Sequence, residues 1–455
     1  MTMRPYTALV ARLMFPLHEW AKRHDTVSRR MQLEASQYWQ PAQLQALQLE
    51  RLRALLVHAA EEVPYYRDLF RSMDFVPQRD FRALADLPAL PLLDKATIRA
   101  HREQMKAGAA RGLVRYNTGG SSGEPLVFYV GRDRVSHDVA AKWRATRWWG
   151  VDIGDPEIVV WGSPIELGAQ DRLRGLRDRV LRTRLLPAFE MSPERLDGFL
   201  HSIRAQRPRM LFGYPSALSH IARHAAAKGQ RMDDLGIQVA FVTAEKLYGE
   251  QRDQIAQVFG CAVANGYGGR DAGFIAHECP HGGMHISAED IIVETVDDRG
   301  EPVAEGRPGE IVITHLATGS FPFIRYRTGD IGVLSKRQCG CGRGLPLLEE
   351  IQGRSTDFVI AHDGTVMHGL SLVYVLRELP QVKAFKITQE NITHTDVQVV
   401  LDAPLAPPLQ QHIERGLKAR LGAQVAVQVR QVDAIAPELS GKFRYVVSKL
   451  GLANG

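Results

Sequence analysis

The stretch RMLFGYPSALSHIARHAAAKGQRMDDLGIQVAFVTAE, residues 209–245, contains two apolar runs separated by a helical pattern. RMLFGY and QVAFVTAE are short and apolar, which is typical of buried strands, whereas PSALSHIARHAAAKG carries apolar residues at helical spacing. A strand, a helix and a second strand in this order form a βαβ unit with parallel strands. The stretch therefore predicts an α/β fold with substantial parallel sheet.

Similar patterns continue on both sides of this stretch. Strand-like runs recur from about residue 113 to 335, among them EIVVWG, EIVITHL and IGVLS, whereas residues 1–110 form a mostly helical lead-in. After QGRSTD, residues 352–357, the runs VKAFKITQE, DVQVVLDA and PPLQQHIERGLKARLG predict a separate α+β unit. We predict a large N-terminal domain over 1–353 and a small C-terminal domain over 354–455.

Composition places the chain among globular proteins, with 45% hydrophobic and 24% charged residues. No stretch approaches the roughly 20 apolar residues of a spanning helix, and Arg12 interrupts the apolar run near the start, so neither a transmembrane segment nor a signal peptide is expected. Leu9, Leu13 and Trp20 share one face of a helix that either touches a membrane or packs on its own domain. Four cysteines exclude a disulfide scaffold and favour a cytoplasmic location.

The net charge of +6 comes from interspersed Lys and Arg, so no nucleic-acid partner is expected. The exception is DRLRGLRDRVLRTR, residues 171–184. This Arg-rich segment is either a solvated helical face or a docking site for an acidic or phosphate-rich partner. The sequence leaves the oligomeric state open.

TGGSSGEP, residues 118–125, lies between the strand-like runs LVRY and LVFYV. Glu124 follows Gly123 where a Walker loop has Lys, so this is not a P-loop. Its glycines let backbone N–H groups converge, and Thr118, Ser121 and Ser122 add hydroxyl donors. The stretch is either a hairpin connection or an anion-binding loop.

Three other segments carry groups suited to a nucleotide. FPFIRYRTGD places Asp330 after a Thr-Gly turn, where a carboxylate can bind two ribose hydroxyls. NGYGGRDAG carries Tyr267, which can stack on a base, and Asp271, which can reach a metal. PELSGKFR offers Lys442, a point charge that can reach a phosphate.

The order TGGSSGEP, FGYPSAL, GYGGRDAG, GEIVIT, RYRTGD, GRSTD, SGK resembles the adenylate-forming superfamily of acyl-CoA synthetases, peptide-synthetase adenylation domains and luciferases. The lead-in HAAEEVPYYRDLF and the cysteine-rich insert are most similar to the phenylacetate-CoA ligase branch, including its relatives in polysaccharide gene clusters. The resemblance covers about residues 40–450. It implies a large domain and a small mobile domain that rotate about a hinge next to Arg354.

The resemblance also implies roles for individual residues. The β- and γ-phosphates of ATP would be held by Thr118, Gly119, Gly120, Ser121, Ser122 and Gly123. Tyr267, followed by Gly268, would stack on adenine, and Asp330 would bind the ribose. Asp271 would help to bind Mg²⁺, Arg354 would assist at the ribose or phosphate, and Lys442 would reach the α-phosphate and the substrate carboxylate. The acyl pocket would be bordered by Tyr214, Pro215 and Ser216.

The implied reaction is ATP- and Mg²⁺-dependent adenylation of a carboxylic acid, followed by acyl transfer. Two departures from the family matter: Asp271 replaces the usual Glu, and FVIAHDGTVMHG replaces a glycine-containing loop that helps to form the thiolation site. The acceptor is therefore left open between CoA, a carrier-protein thiol, and an amine or hydroxyl. The rival hypotheses are an adenylyltransferase that leaves AMP on its acceptor and a nucleotide-binding scaffold in polysaccharide biosynthesis.

HECPHGGMH and CGCG together hold three cysteines and three histidines. Similar insert residues in the phenylacetate-CoA ligase branch favour a closed structural zinc site, for which we select Cys279, His285, Cys339 and Cys341. The alternative is free cysteines beside surface histidines. Cys261 is expected to be a buried apolar filler.

Two further sets of residues have alternative interpretations. Ser216 either borders the acyl pocket or caps the following helix. The tryptophans of the central region either wall a pocket for an aromatic acid or belong to the core: Trp143, Trp148, Trp149 and Trp161.

Overall fold

The computed structural model of the protein describes residues 4–118, 126–161, 171–188, 191–297, 299–353, 358–377, 379–435 and 446–450. These residues form two compact units, one within 4–353 and one within 358–450. The larger unit combines helices with a large sheet and the smaller has its own sheet and helices, which confirms the α/β fold class. No helix of the described residues is long and apolar enough to cross a membrane.

The larger unit begins with helices, several of which start at proline. Pro41, Pro64 and Pro77 each occupy the first helical position, where the missing N–H needs no partner and the fixed φ suits the helix. The helical elements are α1 Pro5–Leu9, a π-helical turn Val10–Met14, α2 Phe15–Ala21, α3 Thr26–Ser36, α4 Pro41–Glu62, α5 Pro64–Ser72, α6 Pro77–Asp80, a 3-10 turn Leu84–Ala89, and α7 Lys95–His101. Leu52, Leu56 and Phe70 of this region are buried in one core with sheet residues such as Ile313 and Phe323.

A two-stranded antiparallel hairpin, β1 Val114–Asn117 and β2 Val127–Val130, is followed by α8 Arg132–Trp148. The parallel part of the sheet then alternates strands with helices. Its elements are β3 Glu157–Trp161, α9 Asp171–Leu181, β4 Thr183–Pro187, α10 Pro193–Gln206, β5 Met210–Gly213, α11 Pro215–Ala227, β6 Val239–Thr243, α12 Gly249–Phe259 and β7 Ala262–Gly269. Phe212 pairs with Val159 on one side and Phe241 on the other, so buried apolar side chains align across the strands.

Antiparallel strands complete the large sheet. They are β8 Gly273–Glu278, β9 Met284–Ile286, β10 Ile291–Val296, β11 Pro308–His315, β12 Phe323–Ser335 and β13 Leu347–Gly353. The order of the eleven strands is β10-β11-β12-β13-β9-β8-β7-β6-β5-β3-β4. The βαβ pattern of residues 209–245 therefore corresponds to β5, α11 and β6, two neighbouring parallel strands joined by a helix.

The smaller unit is an α+β structure. Its elements are β14 Phe358–Ile360, β15 Val366–His368, α13 Leu370–Arg377, β16 Val382–Asn391, β17 His394–Leu401, α14 Pro407–Leu421, β18 Ala426–Gln431 and β19 Val446–Ser448. Alternate residues of the central strands, such as Phe385 and Val397, are buried against Leu376 and Leu417 of the helices. The divergent segment FVIAHDGTVMHG contains the β14–β15 hairpin, which turns at Gly364 with φ of 84°. The mobility of this unit remains a prediction.

Candidate functional site

The larger unit contains five of the predicted nucleotide-site residues: Thr118, Tyr267, Gly268, Asp271 and Asp330. The other predicted residues lie outside the described part of the chain, namely Gly119, Gly120, Ser121, Ser122, Gly123, Arg354 and Lys442. Their roles remain predictions.

Asp330 lies within an irregularity in β12, between Arg327 and Ile331, where the pairing with β11 shifts register. Gly329 has φ of 81°, a conformation that favours glycine. The hydroxyl of Thr328 donates to the carbonyl of Ile311 at 2.8 Å and accepts the N–H of Asp330 at 3.1 Å. The Thr-Gly-Asp turn that the sequence indicates is thus a β-bulge that fixes the backbone of Asp330.

Tyr267 on β7 reaches Asp330 across the sheet. Its hydroxyl donates a hydrogen bond of 2.9 Å to Oδ2 of Asp330. Gly268 follows at a point where a Cβ atom would lie 2.1 Å from the carbonyl oxygen of Gly273, so this glycine is required by the tight β7–β8 turn. The aromatic ring and the carboxylate predicted for adenine and ribose are therefore in direct contact.

Asp271 lies in the turn between β7 and β8, and it is 9% exposed. Oδ2 accepts a hydrogen bond of 2.6 Å from the hydroxyl of Tyr326 and lies 3.9 Å from Nζ of Lys95. Neither Tyr326 nor Lys95 was identified from the sequence. The period-2 pattern of RYRTGD, which turns Tyr326 inward, was the available signal for the tyrosine.

Arg134 on α8 supports the turn that carries Asp271. Its guanidinium donates to the carbonyls of Asp271 and Arg270, both at 3.2 Å, and to Oδ2 of Asp138 at 2.9 Å. Arg134 is 2% exposed, so these contacts are made away from solvent. The buried guanidinium of Arg134 therefore stabilises the backbone of the turn. Arg134 was not identified from the sequence either.

A second arginine connects the same turn to the predicted phosphate loop. Arg270 donates to the carbonyl of Asn117 at 3.3 Å, one residue before Thr118. The N–H of Thr118 donates to the carbonyl of Leu126 at 3.0 Å, and its hydroxyl accepts the N–H of Leu126 at 3.1 Å. Thr118 thus closes the base of the loop, and Arg270 places that base beside the turn of Asp271.

The titratable and charged side chains that lie next to the Asp271 turn form a buried network. Burial alone would raise the pKa of Asp138, but Arg134, His137 and His315 hold that pKa well below its usual range. Burial, together with the charge of Arg134, lowers the pKa of His315 to about 3, so its imidazole is neutral at pH 7. The Arg134–Asp138 pair therefore remains ionised next to the neutral imidazole of His315.

The predicted acyl-pocket residues directly follow the carboxyl end of the parallel strand β5, at the edge where α/β proteins bind ligands. The ring of Tyr214 stacks on that of Trp161 with centroids 4.3 Å apart and planes 19° from parallel. Tyr214 is the N-cap of α11 and Pro215 is its first residue. The interpretation of Ser216 as the N-cap is therefore wrong, because proline already begins the helix; the N–H of Ser216 donates to Glu245 at 3.3 Å.

The other three tryptophans have structural partners. The indole N–H groups of Trp143, Trp148 and Trp149 donate to Asp152, the Gln37 side chain and the Glu278 carbonyl, respectively. These contacts satisfy the polar atom of each ring, as expected for tryptophans packed within a domain. Trp161 is the one of the four tryptophans that stacks on a predicted acyl-pocket residue.

The four residues selected for zinc form one cluster, hereafter the cysteine–histidine cluster. Sγ of Cys279, Cys339 and Cys341 and a ring nitrogen of His285 all lie within 4.8 Å of one another. Gly283 belongs to the same turn, where a Cβ atom would lie 2.7 Å from Sγ of Cys339. Three thiols and one imidazole at this spacing fit a tetrahedral Zn²⁺ site.

The residues around the cluster orient His285 and shift the pKa values of the cysteine thiols. Nδ1 of His285 lies 3.3 Å from the carbonyl of Leu345, which leaves Nε2 directed at Cys341 at 3.2 Å. Burial raises the pKa of Cys279 to about 11, so this thiol needs a nearby positive charge to ionise. Burial opposes ionisation of Cys341 too, yet hydrogen bonds from the backbone and side chain of Arg343 lower the pKa of this thiol.

Several known proteins are similar to this chain. Two family profiles match the chain: AMP-binding enzymes over residues 184–319 and the CapK C-terminal domain over residues 359–449. A phenylacetate-coenzyme A ligase of Thermus thermophilus is 29% identical over 348 residues, covering 74% of this chain and 76% of that protein. Protein CapK of Staphylococcus aureus is 22% identical, and the alignment covers 89% of each chain.

The chain is similar to the phenylacetate-CoA ligase branch of the adenylate-forming superfamily. The resemblance carried by the order of its motifs is thereby confirmed. Among solved structures, a 2-hydroxyisobutyryl-CoA ligase in complex with 2-HIB-AMP and CoA has a TM-score of 0.68 and 21% identity over 91% of both chains. At this identity the likeness concerns the fold alone.

Proposed function

We propose that the chain is an ATP-dependent ligase that adenylates a carboxylic acid and transfers the acyl group to the thiol of CoA. One observation carries the proposal. The β7–β8 hairpin and β12 each supply one tyrosine and one aspartate, which form the reciprocal pairs Tyr267–Asp330 and Tyr326–Asp271. This geometry supports the proposal that Asp330 binds ribose, Asp271 binds the metal and Tyr267 stacks on adenine.

In the first half-reaction, a carboxylate oxygen of the acid attacks the α-phosphorus of ATP, and the bond to pyrophosphate breaks. Two anions must approach each other, so catalysis depends on positioning and on neutralised charge. Asp271, held by Tyr326, is the residue that would bind Mg²⁺, which neutralises phosphate charge when bound. Asp330 would orient the ribose, and Lys442 would contact the α-phosphate.

In the second half-reaction, a thiol attacks the acyl carbon and AMP leaves. CoA is the proposed acceptor because the relatives of Thermus thermophilus and Pseudomonas putida are CoA ligases by name. A carrier-protein thiol and an amine or sugar hydroxyl are the competing acceptors. Because ATP and CoA are the proposed substrates and the described cysteines are unpaired, the expected location is the cytoplasm.

The test is a screen of aryl, aliphatic, amino and sugar acids for exchange of labelled pyrophosphate into ATP without CoA, followed by addition of CoA to each hit. We expect exchange with at least one acid and formation of its CoA thioester. Pyrophosphate exchange without formation of a CoA thioester would indicate that the acyl group is transferred to another acceptor. A stable AMP ester would identify an adenylyltransferase, and ATP binding without turnover would identify a scaffold protein.

We further propose that the cysteine–histidine cluster holds a structural Zn²⁺. Four ligand atoms within 4.8 Å of one another, with His285 fixed by a backbone carbonyl, support this assignment. All four positions of a tetrahedral ion would be filled by protein, so the ion would join the β8–β9 hairpin to residues 339–341 and take no part in the reaction.

A further inference from the structure

The N-terminal helical segment, residues 5–21, is docked on the larger unit by one of its faces. Val10, Ala11 and Phe15 are buried, and the ring of Phe15 meets Trp143 edge-on with centroids 5.2 Å apart. The hydroxyl of Thr7 donates to Asp155 at 2.8 Å. This face alone is enough to pack the segment on its own domain.

The opposite face is also apolar, although it faces solvent. Leu9, Leu13, Leu17 and Trp20 are 47%, 59%, 60% and 75% exposed. Their spacing of four, four and three residues places them along one side of the helix. We call these four residues the N-terminal stripe. A helix that only packed on its own domain would carry polar side chains at these positions.

The stripe is accompanied by positive charge. Four exposed cations lie in residues 4–23, namely Arg4, Arg12, Lys22 and Arg23. The single acidic residue of this range, Glu19, is buried and accepts a hydrogen bond from Thr26 at 2.5 Å. The outer face of the segment therefore presents leucines, a tryptophan and cations.

The Arg-rich segment, residues 171–184, packs against the same helix. The hydroxyl of Tyr6 donates to the carbonyl of Val180 at 3.0 Å, and the guanidinium of Arg182 lies 5.1 Å from the centroid of the Tyr6 ring. The Arg-rich segment contains six arginines and two aspartates, and Arg179 and Arg184 are exposed. Two basic segments that are far apart in sequence thus meet beside the stripe.

We propose that the N-terminal stripe and the adjoining arginines bind the surface of an anionic lipid membrane. Leucines on one face of a helix insert at the boundary of headgroups and acyl chains, tryptophan is favoured at that depth, and flanking Lys and Arg attract anionic headgroups. The stripe is a ridge of side chains along a helix, which suits a deformable lipid surface. The chain would thereby lie on a membrane without spanning it.

The experiment is co-sedimentation of the full chain with vesicles of phosphatidylcholine, with or without phosphatidylglycerol. We expect binding to the anionic vesicles, weaker binding to the neutral ones, and release by salt. Leu13→Ser/Leu17→Ser should lower the affinity at least about tenfold, because two exposed apolar side chains are lost from the bound state. Arg12→Glu/Arg179→Glu should lower it on anionic vesicles alone, by about fivefold or more for each charge.

The control is Met73→Ser/Val76→Ser, which changes two apolar residues that are 39% and 41% exposed elsewhere on the larger unit. It should bind vesicles like the wild type, and all variants should keep the wild-type melting temperature. The proposal is overturned if the chain ignores anionic vesicles, or if Leu13→Ser/Leu17→Ser binds as well as the control. Dimers in solution that this stripe variant abolishes, without vesicle binding, would instead assign the stripe to a protein interface.

Discussion

The hydroxyl of Tyr267 lies 2.9 Å from Oδ2 of Asp330, although the two residues belong to strands separated by three others in the sheet. The pair Tyr326–Asp271 connects the same two parts of the sheet with the residue types exchanged, since Tyr326 lies on β12 and Asp271 lies beside β7. Each carboxylate therefore has a phenolic donor that sets its orientation. Both are held in place by contacts within the protein, which lowers the cost of ordering them around a ligand.

Tyr267→Phe keeps the aromatic ring and removes the hydrogen bond to Asp330. A hydrogen bond to a charged group contributes about 1.5–3 kcal/mol, so we expect the KM for ATP to rise roughly tenfold while kcat changes little. The measurement is pyrophosphate exchange as a function of ATP concentration.

Tyr38→Phe is the control for Tyr267→Phe, because Tyr38 is 55% exposed and lies outside this site. It should leave the KM for ATP unchanged. An unchanged KM in Tyr267→Phe would show that Asp330 needs no orientation by the tyrosine, which would contradict the role assigned to the pair.

Tyr326→Phe tests the second pair through the metal. Loss of a group that orients a metal-binding carboxylate weakens metal affinity by about tenfold or more, so half-maximal exchange should need roughly tenfold more Mg²⁺. Asp271→Asn should abolish most of the exchange at any Mg²⁺ concentration. Equal Mg²⁺ dependence in Tyr326→Phe and the wild type would mean that Asp271 is not the metal ligand.

The residues that sequence analysis identified share a local signal. Tyr267, Asp271 and Asp330 each lie in a short segment where glycine marks a turn, and Cys279, Cys339 and Cys341 are chemically distinctive wherever they occur. The alternation of strand and helix similarly predicts β5, α11 and β6. Such features depend on a few neighbouring residues, so they can be read without the tertiary structure.

Arg134 and Lys95 could not be found in this way, because their contacts with the Asp271 turn span more than 100 residues of sequence. The sequence of α8, RDRVSHDVAAKWRATRW, has the composition of an exposed helix. Two of its four arginines, Arg134 and Arg144, are nevertheless buried, and Arg144 pairs with Glu289 at 2.6 Å. Tertiary packing decides this burial, and composition gives the opposite expectation.

Arg134→Met tests the support beneath the Asp271 turn. Removing one partner of a buried ion pair leaves Asp138 without its cation, and such changes cost about 3–5 kcal/mol of unfolding free energy. Because Asp138 is partly exposed, we expect the lower end of this range. Tryptophan fluorescence in urea is the measurement, since all six tryptophans lie in the larger unit.

The double variant Arg134→Met/Asp138→Leu removes both charges. It should regain much of the lost stability, because no unpaired charge remains buried. If the double variant is less stable than Arg134→Met by the full cost of a second independent substitution, the two residues are not coupled and the network does not act as a unit.

Stability should fall in mild acid because of two buried histidines. Burial lowers the pKa of His277 and of His315 from the ordinary value of 6.5 to about 3. At pH values between these two pKa values, the unfolded chain binds protons that the folded chain does not. The free energy of unfolding therefore decreases as the pH falls, by about 1.4 kcal/mol per pH unit for each histidine. Urea unfolding at several pH values between about 5 and 7 measures this slope.

His277→Phe should remove one of the two contributions. The ring of His277 lies between Phe241 and Phe274, with centroids 5.9 Å and 5.4 Å away, so phenylalanine suits the site. We expect the slope of the variant to be smaller than that of the wild type by about 1.4 kcal/mol per pH unit in the range where histidine titrates. A slope equal to that of the wild type would assign the acid sensitivity to other groups.

The last prediction concerns the zinc content of the cysteine–histidine cluster. Cys279→Ser and Cys339→Ser each remove one of four ligands, so the purified variants should contain little zinc, whereas the wild type should contain about one ion per chain. The melting temperature should fall with the metal, because an ion that binds only the folded chain stabilises it. Elemental analysis and thermal unfolding with and without a chelator are the measurements.

Cys261→Ser provides the matched control, because Cys261 is a fourth thiol that does not belong to the cluster. Burial raises the pKa of the Cys261 thiol to about 12, so this thiol stays protonated. Cys261 is also not one of the residues that form the cluster. The control should keep its zinc, even if the buried hydroxyl lowers its stability. A wild-type chain without zinc, or equal zinc content in Cys261→Ser and Cys339→Ser, would show that the cluster is held by packing alone.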